Sequence, residues 1–275
     1  MGIGVQMIMR RLPIMIAPFF VGILIDHFGV VGGVRIALVI SILLSAGTIF
    51  VQRQIEDDPK PESAAKESIN LWQSLRAFNS PMRRLLLSDI LIRFCERIPY
   101  AWVVIFAMDY IGLSAKQVGV LITVEMLAAT LCIIPSSYLA DRYGRERFVI
   151  ATFIMFAIFP LSLMASRNFA ALTIAFTIRG FKEFGDTSRK ALIIGYCDPD
   201  RCGQMVGAYY LVRDLIVSPA AILGAYLWLQ GAALNFLAAA GVGILGTILY
   251  IKTIRDQRMN ELEDMKEEIS RRRFR

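Results

Sequence analysis

Long apolar segments separated by shorter polar ones dominate this chain. Eight of them have about 20 residues each, the length at which an α-helix crosses the hydrocarbon core of a bilayer. They run from 12 to 30, 34 to 52, 85 to 110, 117 to 139, 147 to 166, 168 to 190, 205 to 229 and 232 to 252. The pattern predicts an all-α, polytopic membrane bundle of about eight transmembrane helices.

Two polar stretches divide the predicted bundle. Residues 53–84 contain three prolines and many charges, and about 30 residues is far longer than the usual connection between packed helices. Residues 254–275 are rich in Glu, Lys and Arg, which favours a charged tail at the membrane surface. We therefore expect two helices in residues 1–52, a linker in 53–84, a six-helix bundle in 85–253 and a tail in 254–275.

The basic residues are distributed unevenly between the two predicted sides of the membrane. With alternate connections assigned to opposite sides, 22 of the 30 Lys and Arg residues fall on one side and three on the other. Because cytoplasmic loops carry the basic excess, we expect the linker and both termini in the cytoplasm and the protein in the cell membrane, among its lipids. The net charge of +7 is then a topology signal, and no nucleic-acid partner is expected.

The cysteines and the single histidine form no recognisable site. Cys95 and Cys132 fall within apolar segments, and Cys197 and Cys202 flank a short loop that is far from His27. Zinc needs about four soft or imidazole ligands. We therefore expect no disulfide, no metal site and no cofactor.

Charged residues inside the apolar segments are the most informative feature of the sequence. Each costs about 2.5 to 3.5 kcal/mol to place at mid-membrane, so such residues should face one another or a wet cavity. They lie in the third, fourth, sixth and seventh segments, whereas residues 36–51 of the second, 148–165 of the fifth and 232–251 of the eighth contain no charge. We expect four helices to line a polar cavity and three to face lipid. The embedded residues are Asp89, Arg93, Glu96, Arg97, Glu125, Arg179, Lys182, Glu183, Asp186, Arg213 and Asp214.

Most of these residues are spaced so that opposite charges can pair along one helix. Separations of three or four residues place side chains on one face, and they predict self-neutralising stripes at Asp89–Arg93–Glu96, Arg179–Glu183 and Lys182–Asp186. Glu125 has no basic residue at these spacings. It must pair with another helix, bind a solute cation or stay protonated.

Permanent salt bridges and transport chemistry are the two interpretations of these charges. Salt bridges suit Asp89, Arg97 and Asp214, which lie near helix ends or beside an opposite charge. Chemistry suits the residues near the membrane midplane, since buried charges are expensive to keep for stability alone. The proton-coupling candidates are Glu125, Glu183 and Asp186; the solute or counter-charge candidates are Arg93, Glu96, Arg179, Lys182 and Arg213.

The loop after the fourth segment resembles the signature loop of the major facilitator superfamily, Gly-x-Leu-Ala-Asp-Arg-x-Gly-Arg-Arg/Lys. The stretch from Ser137 to Arg147 reads Ser-Tyr-Leu-Ala-Asp-Arg-Tyr-Gly-Arg-Glu-Arg. It departs from the pattern at Ser137 and at Glu146. In that family the loop is a charge network that latches two half-transporters on the cytoplasmic side. The resemblance assigns this gating motif to Asp141, Arg142, Gly144 and Arg145.

The same resemblance implies how the chain is organised. The linker corresponds to the family's central loop, the third to eighth segments to its complete C-terminal half, and the first two to the end of its N-terminal half. The cavity-lining helices of that half are its first, second, fourth and fifth, the four that carry charges here. A complete porter has twelve helices, so we expect a truncated or partial chain, or a reduced protein that needs a partner.

Two functions remain open at this point. The first is secondary transport of a small solute by alternating access, coupled to protons through a titratable carboxylate. The second is a degenerate permease that acts as a membrane scaffold or sensor, or that needs a partner chain. An enzyme is disfavoured because no nucleophile–base pair, phosphate loop or metal set has suitable spacing. The solute class is open, because five basic and six acidic residues are embedded.

Overall fold

The computed structural model describes residues 2–54 and 75–273, and these residues form helices and no strand. The α-helices are α1 (Gly2–Gln52), α2 (Ser80–Arg97), α3 (Trp102–Ile105), α4 (Ala115–Tyr143), α5 (Arg145–Ala165), α6 (Phe169–Gly180), α7 (Asp186–Gly195), α8 (Cys202–Val217), α9 (Ala220–Gln230) and α10 (Ala232–Arg273). A π-helical turn spans Phe106–Tyr110, and 3-10 turns span Phe181–Gly185 and Pro199–Arg201. The all-α prediction is confirmed. Most of the predicted linker, residues 55–74, lies outside the described residues.

Within residues 2–54 and 75–273, five helical stretches are long and apolar enough to cross a membrane. They are Pro13–Gln52, Ala115–Ile133, Arg145–Ala165, Pro199–Gln230 and Ala232–Met259. The predicted third and sixth segments are absent from this set because α2 is rich in charged residues and the sixth is divided into the shorter helices α6 and α7. Charge and helix breaks therefore occur in the same parts of the bundle.

Helix α1 is a hairpin of two arms, 2–28 and 30–52, that reverses at Gly29. Gly29 has φ 73° and ψ 168°, a conformation that glycine adopts without the steric penalty of a side chain. The arms touch beyond the turn, since a Cβ on Gly33 would lie 2.6 Å from Ile25 Cα. The first arm packs against α4. Residues 34–52 of the second arm are largely exposed, as expected for a helix that faces lipid.

Helices α5 and α10 pack together with α2 through apolar and small residues. Phe153 of α5 contacts Tyr250 of α10, with ring centroids 5.2 Å apart. Gly243 brings α10 so close that a Cβ there would lie 2.7 Å from Cys95 Sγ and 3.1 Å from Ala157 Cα. Because α10 continues to Arg273, the predicted charged tail begins as part of the last helix.

The bundle has two ends that the charges distinguish. At the basic end α4 turns into α5 at Gly144 and residues 196–201 connect α7 to α8. At the hairpin end lie Gly29, Gly112 and Gly231, three turn glycines with positive φ.

Candidate functional site

The break between α6 and α7 positions Arg179 and Lys182, the two basic side chains that contact Glu125. Regular helix ends at Gly180 and resumes at Asp186. A Cβ on Gly180 would lie 2.6 Å from Glu125 O, and one on Gly185 would lie 2.3 Å from Phe148 O. The two glycines therefore let the 3-10 turn touch α4 and α5 directly. The Gly185 N–H donates to Thr152 Oγ1 at 2.6 Å, which fixes the turn.

Glu125 is a buried acid of α4 that pairs with both Arg179 and Lys182. Its carboxylate is 2% exposed. Glu125 Oε1 is 3.2 Å from Arg179 Nε and 3.5 Å from Lys182 Nζ. The guanidinium of Arg179 also lies 5.1 to 5.9 Å from the ring centroids of Tyr100, Phe159 and Phe176. The sequence leaves three possibilities open for Glu125, and the structure shows the first of them, pairing with basic residues of another helical segment.

Lys182 is shared between two carboxylates. Its Nζ is 3.0 Å from Glu96 Oε1 in addition to the contact with Glu125. Glu96 is held in turn by Arg93, with Nη1 and Oε2 2.7 Å apart. A cavity of about 10 Å³, about the space that one water centre needs, lies beside Glu96, Lys182 and Arg179.

Asp89 joins α2 to α7 and α8. Its carboxylate is 1% exposed and accepts two hydrogen bonds from Arg189 Nη1, at 2.5 and 2.6 Å. Asp89 Oδ2 also accepts from Arg213 Nη1 at 3.3 Å and from the Tyr209 hydroxyl at 3.2 Å. This carboxylate accepts four hydrogen bonds and so holds α2, α7 and α8 together. The arrangement fits the interpretation of Asp89 as a permanent salt-bridge residue.

Asp186 completes a continuous charge network. It pairs with Arg189, with Lys190 at 2.7 Å and with Arg93 at 3.7 Å. We call the connected set the charge network: Asp89, Arg93, Glu96, Glu125, Arg179, Lys182, Asp186, Arg189, Lys190 and Arg213. It crosses α2, α4, α8 and the α6–α7 segment, the four segments in which the sequence places embedded charges.

A cleft of about 540 Å³ lies on the basic-end side of Glu125. Ile14 of α1 and Met126 and Ile133 of α4 form its apolar part. Its polar part comes from Arg93, Glu183, Asp186, Thr187, Arg189, Lys190, Tyr210 and Arg213. Asp214 is 64% exposed and pairs with Arg213 at 2.8 Å. Arg97 lies over Tyr100 at 5.6 Å.

At the hairpin end α1 and α4 are in close contact. Asp26 Oδ1 and Oδ2 accept hydrogen bonds from the N–H groups of Ala115 and Lys116 at 3.0 and 3.1 Å. A Cβ on Gly119 would lie 2.5 Å from Pro18 O. We call the contacts from Asp26 and Ala115 down to Thr123 the hairpin-end seam. It ends where Thr123 Oγ1 donates to Met15 O at 3.0 Å, and the cleft begins one residue further at Ile14.

The residues of the predicted gating motif lie at the basic end and are exposed. Asp141 pairs with Arg145 at 3.2 Å, and Arg142 lies 5.7 Å from the Tyr143 ring centroid. Gly144, with φ 94°, turns α4 into α5. Asp141 and Arg145 also line a groove of about 180 Å³ with Thr187 and Ser188 of α7. Their role as a latch stays a prediction.

Comparison with protein families decides what kind of bundle this is. The family model of the Major Facilitator Superfamily matches residues 85–273. The chain belongs to this superfamily. Its members are transporters rather than enzymes, and the chain is a multi-pass membrane protein. The matched range contains the whole charge network of this superfamily member. No curated protein matches the chain significantly.

Two sequence-based expectations need correction. Arg189 is one of the 22 basic residues that the sequence assigns to the cytoplasmic side, but it is 3% exposed and binds Asp89 and Asp186. Its spacing of three from Asp186 was the available signal. Lys182 was expected to pair with Asp186, but it pairs with Glu96 and Glu125, because the 3-10 turn changes the helical register.

Two further residues of these contacts are not among the sequence-based candidates. Asp26 of the hairpin-end seam is one of them. Its signal is that it is the only acidic residue among residues 1–54. Tyr209 carries no charge in the sequence pattern, and its hydroxyl finds Asp89 only through the packing of α8 on α2.

Proposed function

We propose that this chain is a secondary transporter that moves a small solute by alternating access, with the cleft as the solute route. One observation carries the proposal: the cleft is closed toward the hairpin end by the seam and is connected through the charge network to the buried Glu125. Sites of this kind, near mid-membrane and between helix bundles, suit alternating access. The basic excess supports a cytoplasmic basic end.

Arg93, Arg213 and Glu183 supply solute contacts in this proposal. All three line the cleft, and their location on α2, α8 and the 3-10 turn lets one solute bridge several helices. Asp141 and Arg145 line a neighbouring groove that shares Thr187 with the cleft. In this proposal, rearrangement of the contacts of Asp141, Arg142 and Arg145 accompanies closure of the basic end.

Proton coupling is proposed at Glu125, with Lys182 as the residue that responds. A proton on Glu125 removes one of the two carboxylates that share Lys182, which leaves the lysine to Glu96. Arg179 loses its carboxylate at the same time. An uncompensated guanidinium in the membrane interior is unfavourable. The protonated state therefore favours a different conformation or a bound solute, which is the differential free energy that coupling requires.

Glu183 and Asp186 remain the other coupling candidates. Asp186 is held by Arg93, Arg189 and Lys190, so loss of its charge would disturb three partners at once. Glu183 lines the cleft and is reached more directly by solute. We place coupling at Glu125 because loss of its charge leaves Lys182 paired with Glu96, so that the change falls on Arg179.

The test is solute-driven proton movement in proteoliposomes that hold the full chain and an internal pH-sensitive dye. A panel of amino acids, sugars, carboxylates and nucleosides supplies the solutes. Glu125→Gln is expected to keep solute exchange and to lose proton movement, while the matched variant Asp109→Asn, at an exposed carboxylate outside the cleft, keeps both. Unchanged proton movement in Glu125→Gln would remove Glu125 from this role.

A second measurement separates transport from a non-transporting permease without knowledge of the solute. The four native cysteines are replaced by serine, and Thr123→Cys, at the bottom of the hairpin-end seam, is treated with a charged thiol reagent from the hairpin-end side. Lys116→Cys, at the exposed end of the seam, is the control for reagent access. Alternating access predicts that pH or solute changes the reactivity at 123. Constant protection at 123 under all conditions favours the scaffold alternative.

A further inference from the structure

A second cleft lies at the basic end, between the first turn of α5 and residues 251–259 of α10. Its volume is about 320 Å³. It is lined by Glu146, Arg147, Ile150, Ile251, Ile254, Arg255, Arg258 and Met259. It shares no residue with the cleft that contains Glu183 and Asp186.

The polar side of this second cleft carries a positive excess. Three arginines, Arg147, Arg255 and Arg258, face one carboxylate, that of Glu146. Glu146 pairs with Arg258 at 2.9 Å. Among the side chains that the structure describes, Arg147 and Arg255 have no ion-pair partner. Two exposed guanidinium groups are therefore available to an anion.

The floor of the cleft is apolar and continues into the membrane. Ile150 begins a ridge of α5 residues, Ile154 and Ile158, that are 38% exposed and spaced one helical turn apart. On α10, Ile251 is followed toward the hairpin end by Ile248 and Ile244, which are also exposed. The two ridges lead from the arginines toward the bilayer interior, as hydrocarbon chains do from a headgroup.

The height of the cleft matches the membrane surface. Arg147 directly precedes the apolar run of α5 that begins at Phe148. Arg255 and Arg258 follow Ile251, where the uninterrupted apolar run of α10 ends. Basic pockets between helices at this level suit lipid phosphates, which attract each nearby Arg by about 1 kcal/mol.

We propose that this cleft binds an anionic phospholipid of the leaflet at the basic end. The phosphate lies between Arg147, Arg255 and Arg258, and the acyl chains follow the isoleucine ridges of α5 and α10. A free phosphate would use the same guanidinium groups but none of the ridges. The pocket thus links the turn within the gating motif, at Gly144, to the composition of the surrounding lipid.

The test is native mass spectrometry of the full chain in detergent, titrated with phosphatidylglycerol or with phosphatidylcholine of the same acyl chains. Wild type is expected to retain phosphatidylglycerol preferentially. Arg147→Gln with Arg255→Gln should weaken this binding about 30-fold, from about 1 kcal/mol for each arginine. Glu146→Gln frees Arg258 and should strengthen binding about fivefold.

The matched control removes two arginines of the same end outside the cleft, Arg53→Gln with Arg201→Gln, both at exposed positions. Binding in this control should equal that of wild type. Equal retention of both lipids, or an equal loss in the two double variants, would show that no specific site exists. Displacement of phosphatidylglycerol by inorganic phosphate at the concentration at which the lipid itself binds would identify an anion site and overturn the lipid assignment.

Discussion

Helices α5 and α10 differ in charge from the helices that hold the charge network, and in continuity from all of these except α4. Residues 148–165 of α5 and 232–251 of α10 contain no charged residue, and both helices are uninterrupted. The other network segments are broken after Arg97, at Phe181–Gly185 and after Val217, whereas α4 runs unbroken from Ala115 to Tyr143. In lipid, apolar contacts between helices gain little from the hydrophobic effect. Close packing of complementary surfaces therefore positions α5 and α10. The network helices are positioned by ion pairs, which a proton or a solute can rearrange.

The largest expected effect comes from breaking the anchor of the network. Asp89→Asn leaves the buried Arg189 with one carboxylate and Arg213 with only its exposed partner. We expect the free energy of unfolding to fall by about 3 to 5 kcal/mol. Unfolding in detergent, followed by tryptophan fluorescence, measures it.

The double variant Asp89→Asn with Arg189→Gln is the control for this prediction. It should recover part of the loss, because the most buried of the charges that lose a partner is then absent. A single variant as stable as wild type would mean that burial of these charges does not set the stability of the network helices.

Glycine-to-alanine substitutions, which add one methyl group, test close packing in both groups of helices. Gly185→Ala meets Phe148 O at 2.3 Å, and Gly243→Ala meets Cys95 Sγ at 2.7 Å. Each should destabilise by about 1 to 3 kcal/mol through overpacking. Only Gly185→Ala should also reduce transport, since it displaces the turn that carries Lys182.

Gly241→Ala is the matched control, because nothing lies within 4 Å of the added Cβ. It should be neutral or stabilise the helix by up to about 1 kcal/mol. Equal loss of transport in Gly185→Ala and Gly243→Ala would contradict the division of roles between the two groups of helices.

The hairpin-end seam is an intermediate case, since one carboxylate there binds a helix end rather than a cation. Asp26→Asn keeps an acceptor but loses the charge opposite the N-terminus of α4, which should weaken the seam by about 0.5 to 2 kcal/mol. Faster labelling of Cys at position 123 measures the opening. Asp109→Asn, an exposed acid outside the seam, should leave the rate unchanged.

The smallest effect is expected at an ion pair that joins the two groups of helices at the surface. Arg84 of α2 and Asp256 of α10 are 3.3 Å apart, and each side chain is 46% exposed. Arg84→Gln should change the free energy of unfolding by at most about 1 kcal/mol, because water screens the pair. A loss as large as that of Asp89→Asn would show that charge alone, without burial, stabilises these helices.

The sequence predicts the helical class, the family and the helices that carry the network. Segment length and charge position suffice for these, because lipid permits no unpaired backbone and tolerates few unpaired charges. The spacing of Asp89, Arg93 and Glu96 also predicts their contacts, since α2 is regular there.

The pairing of Arg179 and Lys182 could not be predicted from spacing. The 3-10 turn changes their direction, and its cause is tertiary: Gly180 and Gly185 allow close approach to α4 and α5. Arg189 was misplaced for a related reason. Beside Lys190 it looks like a surface cluster, and only the packing of α7 against α2 separates the buried arginine from the exposed lysine.

The distance in sequence between Asp26 and Ala115 affects how the chain is made. The two residues of this contact are 89 positions apart, and a ribosome adds about 5 to 20 residues per second. The first arm of α1 must therefore reside in the bilayer for about 4 to 18 s before the start of α4, which Asp26 binds, has been synthesised. The arm can be stable in lipid during this interval because its backbone is hydrogen-bonded internally. Since the chain reverses at Gly29, the two arms can insert as a helical hairpin before α4 is present.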